Sequence, residues 1–455
     1  MTHPFILHWF GKLGNIETTY NMKNLPLFSL LVFFLGFNSL AVSAQKLSSH
    51  ERSQSKDILK SIKSEIKSNY FDPNFKGVNL DEVFKAAEVK LDSATTIGQA
   101  FGVIAQAVLE LNDSHTRFYP PSRALEVEYG WRMQMIGDRC LVTLVDPKSD
   151  AARQGLKPGD QIVRIEGFKP TRADFWKINY YYNTISLRSG LNVQVVAPGA
   201  STAREMNLAA KTKTLKARMT LEDLIREIDM GSSSGGVVHR FARVGGTAVW
   251  KMPSFVIDPN QVDQIMRSRI KGSANLILDL RNNGGGYVAT LERLAGYFVE
   301  KDTEIAKLVA RKPMKPQMAK TVDDEGFKGK VIVLIDSGSG SASEIFARFM
   351  QLQQRGIVIG EQSAGAVMQS KTIPMQMGVD SVVPYGMSIT NADVILSDGV
   401  SLEHVGVTPQ LVLVPTPADL AAGRDPVLAA AFKLLEQDVT PEAAGKMFPL
   451  LWEDN

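Results

Sequence analysis

The chain of 455 residues has little cysteine, no excess charge of either sign, few histidines and one long apolar run. A single cysteine, Cys140, excludes a disulfide-stapled scaffold, and no cysteine–histidine cluster can be built around it to hold a structural zinc ion. Lys and Arg number 51 against 48 Asp and Glu, a balance that argues against nucleic acid as a partner. With 44% hydrophobic and 22% charged residues the composition is that of ordinary globular protein, and the length allows two or three domains.

The apolar run lies within MKNLPLFSLLVFFLGFNSLAVSA, residues 22–44. Lys23 leads it, Leu25 to Phe37 form its apolar centre, and Val42-Ser43-Ala44 places small residues where a signal peptidase cuts, before Gln45. The uninterrupted stretch is short for a membrane span, which needs about 20 residues. The expectation is an exported, periplasmic or secreted bacterial protein with no stable membrane anchor after cleavage, translation starting at Met22. Four histidines then remain, His50, His115, His239 and His404, a short roster for any base near neutral pH.

Beyond residue 44 the texture changes three times. Over 45–123 the pattern is helical: Ile58, Ile62, Ile66 and Tyr70 recur every four residues, and Thr96 is an N-cap candidate for TIGQAFGVIAQAVLEL, before Pro120-Pro121 breaks the run. Residues 124–212 alternate in short strands with turn signals. A charged, then Ser/Gly-rich connector occupies 213–234. From 235 to 440, apolar runs such as GTAVWKM, NLILDL and VIVLID alternate with helical spacing, the rhythm of an α/β core closed by a C-terminal helix beginning at Asp425-Pro426.

One turn stands out chemically. In KVIVLIDSGSGSASEIFARFMQLQQ a strand enters a Gly/Ser turn and then a helix, so backbone N–H groups face whatever lies before the helix. A phosphate loop would need Gly-Lys-Ser/Thr, and a dinucleotide loop a third glycine; neither is present. No Ser here sits in Gly-x-Ser-x-Gly. A serine nucleophile with amides around an oxyanion and a simple Ser-capped helix both fit the residues.

Two resemblances narrow this. GLKPGDQIVRIEG and the small-to-apolar helix before it resemble a PDZ domain, which binds an extended peptide at a sheet edge and holds a terminal carboxylate on backbone amides. It implies a carboxylate loop at Tyr129-Gly130-Trp131-Arg132, with Gly130 and Trp131 as substrate-binding positions; a spacer or lid role is the alternative for such a module. NLILDLRNNGGG, SGSGSASEIFARFMQ and GIVIGEQSAG, in this order, resemble the tail-specific (C-terminal processing) serine proteases. That likeness implies a multidomain α/β protein: an N-terminal helical region, a PDZ-like β-rich domain and a crotonase-like ββα protease core.

The resemblance implies Ser341 as nucleophile, with an oxyanion hole from the N–H groups of Ala342 and a glycine of the NNGGG loop, Gly285. Many members use a Lys as base, and here its position holds Ala366; Lys371 lies five residues on. The tricorn-like branch carries a Ser-His pair and a Glu instead, and LNDSHTRF and SLEHVGVTP supply Ser114, His115 and Glu403. An imidazole with an ordinary pKa near 6.5 suits the task. His404 is the alternative orienting group, Asp279-Leu280-Arg281 an expected ion-pair site, and Gln410 stands where the family has Asp. The expected activity is hydrolysis of peptide bonds in polypeptides, unstructured C-termini among them, without metal or cofactor. The rival reading is a non-catalytic peptide- or ligand-binding protein on the same fold.

Overall fold

The computed structural model describes residues 47–121, 125–214, 220–230, 238–378, 382–450 and 452. The expected signal segment 22–44, its cleavage before Gln45 and the Met22 start lie outside these described residues.

Helices Ser49–Asn69, Leu80–Ser93 and Ile97–Leu109 open the chain, capped by Ser48, Asn79 and Thr96 respectively. Glu51 closes a capping box with Ser48, satisfying two backbone donors at the first helix start. Ile58, Ile62, Ile66 and Tyr70 are all buried, as their spacing requires. The following strand, Arg117–Tyr119, does not stay with these helices. It pairs antiparallel with Ser388, Met387 and Gly386 of the strand Val383–Leu396. This pairing draws the Ser114-His115 segment onto the far larger α/β part of the molecule.

Residues 131–209 form an antiparallel five-stranded sheet in the order Trp131–Ile136, Arg139–Val145, Gln161–Ile165, Gly190–Val196, Arg204–Ala209. One hydrophobic cluster runs through this sheet and the N-terminal helices together, uniting Leu91, Phe101, Tyr181, Ile162 and Val193.

The α/β core is built on a six-stranded sheet ordered Leu411–Val412, Ile357–Gly360, Lys330–Ile335, Asn275–Asp279, Thr247–Lys251, Arg240–Val244. Its pairs are parallel except the last. Both faces are covered, which is why its strands read as continuous apolar runs. Trp250, Leu278 and Val333 meet Phe346 and Phe349 of the helix Ala342–Leu352, while Val249, Ile277 and Leu334 meet Leu428 and Phe432 of the helix Pro426–Leu434.

Two expectations change. The connector 213–234 contains an amphipathic helix, Leu221–Met230, whose Leu224 and Ile228 are buried with Tyr119. The helix after Asp425 is not the last, since Pro441–Met447 follows and packs beside it. Asp425 does cap it, and also takes Arg281, whose guanidinium reaches Asp279 at 2.8 Å and Asp425 at 2.7 Å. Burial works against the charge on Asp279, but Arg281 and Lys251 outweigh it and hold its carboxyl well below the usual range.

Candidate active site

Ser341 sits between the strand Lys330–Ile335 and the helix Ala342–Leu352, at the N-cap with φ 53° and ψ −119°. A β-carbon at positive φ is strained, and three features hold it there. The Ser341 N–H donates to Ala366 O at 2.9 Å and to Glu344 Oε2 at 3.0 Å. Glu344, fully buried one turn into the helix, also receives Ser363 Oγ at 2.6 Å and the amides of Gly365 and Ala366 at 2.7 and 2.9 Å. Burial pushes its carboxyl up to about 7, yet all four of these groups donate to it, and that opposes protonation. Glu344 therefore ties the nucleophile turn to the 363–366 loop.

His115 comes to Ser341 from 226 positions away, with Nε2 at 3.3 Å from Oγ. Its other nitrogen, Nδ1, lies 2.7 Å from Ser114 Oγ. Ser114 Oγ lies 2.8 Å from Glu403 Oε2 and its N–H donates to Glu403 Oε1 at 2.7 Å, while Val367 N–H donates to Oε2 at 2.9 Å. The carboxylate can only accept, so the Ser114 hydroxyl proton points to Glu403. Ser114 Oγ must then accept from Nδ1–H, which leaves the bare lone pair of Nε2 facing Ser341. Asp113 fixes the segment from behind: its Oδ1 accepts from the N–H of His115 and Thr116 at 3.0 and 2.7 Å and from the Thr390 hydroxyl at 2.7 Å. Burial, then the Arg117 charge, lower the His115 pKa to about 4 against an opposing pull from Asp113, so the ring is neutral at pH 7.

The remaining expected residues fall differently. Ala342 N–H finds no acceptor among the described residues and faces the space before the helix. Gly285 is in place but its role is corrected: its N–H donates to Asn283 Oδ1 at 2.9 Å and is not free for an oxyanion. What Gly285 supplies is closeness, because a Cβ there would stand 2.6 Å from Ser341 Cβ. Among the described residues the neighbouring amides of Gly284 and Gly286 have no acceptor. Trp131 turns its ring into the core of the five-stranded sheet, so only its backbone could meet a ligand, as a carboxylate loop requires. Gly130, at φ 75°, packs against Ser149 and offers its carbonyl to Asp146 N–H. The edge strand Trp131–Ile136 that they open lies against the nucleophile turn. Met135 O accepts from the Ser337 hydroxyl, and Gln134 Nε2 donates to Asp336 Oδ2 at 2.7 Å.

His404 is half exposed, with its Nε2 3.0 Å from Asn112 O and 3.6 Å from Glu403 Oε1. Lys371 is bonded to Asn69 Oδ1 at 2.7 Å. Gln410 anchors its loop as an Asp would, its Oε1 accepting from Val358 N–H at 2.8 Å and Gln351 Nε2 at 3.0 Å. Sequence reasoning passed over Glu344, although Ser-Ala-Ser-Glu at a helix start carries the capping-box spacing that marks it. Asp113 and Arg117 flank the Ser-His pair and carried no local signal beyond that adjacency.

Residues 246–413 match the model of "Peptidase family S41". The chain is 23% identical over 372 residues to a chloroplastic C-terminal processing peptidase of Tetradesmus obliquus, covering 77% of this chain and 76% of that one. It is 24% identical to a carboxyl-terminal-processing protease of Picosynechococcus, covering 75% and 80%. With the tail-specific protease of Haemophilus influenzae the identity is 26%, and the chain spans only 38% of that relative's length. The solved structure of mature CPAF complexed with lactacystin shares the fold with a TM-score of 0.61 at 14% identity, over 82% of this chain and 96% of that one. Residues 246–413 thus resemble peptidase family S41, and the chain is a serine peptidase.

Proposed function

We propose that the protein is an exported C-terminal processing protease in which Ser341 is the nucleophile and His115 the base. The observation that carries this reading is the unbroken run Ser341–His115–Ser114–Glu403, with contacts of 3.3, 2.7 and 2.8 Å. In the reaction, His115 Nε2 takes the Ser341 Oγ proton as Oγ attacks the scissile carbonyl, then delivers it to the leaving amine. Ser114 and Glu403 hold the ring in the competent tautomer and support the imidazolium. Ala342 N–H, with Gly284 or Gly286 N–H, meets the oxyanion. The contact of 3.3 Å is loose for an attack geometry and tightens when substrate binds.

The substrate is an extended polypeptide, and the five-stranded sheet acts as a PDZ-like module beside the nucleophile turn. Residues 22–44 act as a cleaved export signal, which places the mature protein in the periplasm or outside the cell. The decisive experiment is hydrolysis of an unfolded protein substrate together with fluorophosphonate labelling. Both are lost in Ser341→Ala, hydrolysis is lost in His115→Ala, and both persist in Lys371→Ala. Retained hydrolysis in His115→Ala would move the base elsewhere.

A further inference from the structure

Among the described residues, several partly buried arginines are paired with carboxylates, and Arg52, Arg240 and Arg355 are satisfied by backbone carbonyls. Arg172 meets Glu361, Arg188 meets Glu166, Arg281 meets Asp279 and Asp425, and Arg293 meets Asp263. Arg117 is the contrast. Its Nε is buried without an acceptor, and among the described residues its guanidinium has neither a carboxylate nor a hydrogen bond. It lies instead against the Trp176 ring, with Cζ 4.8 Å from the ring centroid, and Lys177 Nζ approaches the same ring at 5.8 Å. Trp176 belongs to the helix Phe175–Tyr180, where Lys177 is taken by Asp174 and the Tyr180 hydroxyl by Phe118 O.

This bare cation stands two residues from His115, in a segment fixed by Asp113 and by pairing with Ser388, Met387 and Gly386. Asp113 favours charge on His115, and Glu403 reaches the ring through Ser114. Arg117 opposes that charge. A cation that disfavours the imidazolium hinders the chemistry at rest, and an anion arriving beside it reverses that effect. The base also hands its proton to the leaving amine, so its own segment faces the leaving-group half of the substrate.

We propose that Arg117 receives a carboxylate of the bound polypeptide on the leaving-group side of the scissile bond. Trp176 pre-orients the planar fork, which suits a two-point contact with a carboxylate. The anion is either the α-carboxylate of a nearby chain end or an acidic side chain. The proposal rests on the reading of His115 as the base of Ser341.

The test uses the full chain and three peptides of one sequence. One is neutral and C-terminally amidated, one has a free C-terminus, and one is amidated with Glu in place of a leaving-side Gln. One or both carboxylate peptides should be cleaved with a kcat/KM about tenfold or more above the neutral one, the strength of a charge-assisted pair. The preference should collapse in Arg117→Gln and survive in part in Arg117→Lys. The acid limb of kcat should lie at higher pH for the preferred peptide than for the neutral one, and that difference should vanish in Arg117→Gln. The two carboxylate peptides separate a chain end from an acidic side chain. Equal cleavage of all three by the unmodified chain overturns the proposal, whether or not Arg117→Gln folds, and so does a preference that Arg117→Gln retains. Fluorophosphonate labelling of the unmodified chain separates the two levels. Without labelling both readings fall, and with labelling but no carboxylate preference only the role of Arg117 falls.

Discussion

Glu403→Gln tests the relay through hydrogen-bond direction alone, since shape and size barely change. Glu403 accepts three donors: Ser114 N–H at Oε1, and Ser114 Oγ–H with Val367 N–H at Oε2. A glutamine has one acceptor oxygen and one NH2. If the NH2 takes the Oε2 place, it opposes Val367 N–H and drives the Ser114 hydroxyl proton toward His115. Nδ1 must then accept, the ring proton moves to Nε2, and the nitrogen facing Ser341 can no longer take a proton. If the NH2 takes the Oε1 place, it opposes Ser114 N–H and displaces the residue that positions the ring. Either orientation leaves a clash between donors worth about 1–3 kcal/mol of stability. The first also removes general-base catalysis, which is worth about 10²–10⁴ in rate.

The expected result is a kcat/KM on an unfolded substrate lower by about 10²–10⁴, with the far-ultraviolet spectrum unchanged. Ser114→Ala should cost a comparable factor, and Glu403→Gln with Ser114→Ala together little more than either, because both act through one proton position. Activity within about threefold of the parent in Glu403→Gln would refute the reasoning, and so would strict additivity of the two changes.

The other predictions concern pH, the glycine beside the nucleophile, and the docking of the five-stranded sheet. His115 has a folded pKa near 4 against about 6.5 unfolded, so between those values the unfolded chain binds more protons and stability falls as the medium is acidified; urea midpoints at pH 7 and pH 5 should differ by about 2 kcal/mol more in the parent than in His115→Ala. The same shift keeps kcat/KM flat well below pH 6.5, and an acid limb centred at an ordinary histidine value would contradict it. Gly285→Ala brings a methyl to 2.6 Å from Ser341 Cβ at a φ of +101° and should abolish turnover and phosphonate labelling together, whereas labelling at the parent rate would show that the loop can yield. Arg172→Ala leaves Glu361 with Gly137 N–H and frees Gln362 O, so amide hydrogen exchange in Trp131–Ile136 should accelerate; unchanged exchange there would mean the other contacts suffice.

Much of this was legible because it is local. The four-residue spacing of Ile58, Ile62 and Ile66, the buried strands NLILD and KVIVLI, and the Thr96 cap depend on neighbours in sequence, and the structure has all of them. The helix Leu221–Met230 was missed because its polar residues dominate, while the burial of Leu224 and Ile228 against Tyr119 depends on a segment distant in sequence. The amide of Gly285 was misassigned because hydrogen-bond commitments are not written in a run of glycines; Asn283, two residues earlier, takes it.

The pairwise geometry of the site depends on long-range pairing, and that explains how four distant segments meet to within hydrogen-bond distance. Arg117–Tyr119 is pinned by Ser388, Met387 and Gly386, and Thr390 in the same partner strand reaches Asp113, so the register of that pairing sets the position of the His115 ring. A slip of one residue would turn the ring to the opposite face. On the other side, Glu344 binds Ser341 to the 363–366 loop, and Val367, the next residue, donates to Glu403. The two halves thus close a ring of contacts: nucleophile, Glu344, the 363–367 loop, Glu403, Ser114, His115, and back to the nucleophile. In such a ring each side chain is positioned by two neighbours, and only the link of 3.3 Å between His115 and Ser341 is long enough to be adjusted by substrate. On the proposed mechanism, Ser341 and His115 form the one compliant link in an otherwise fixed circuit, which is where the pair would need its freedom to close on a substrate.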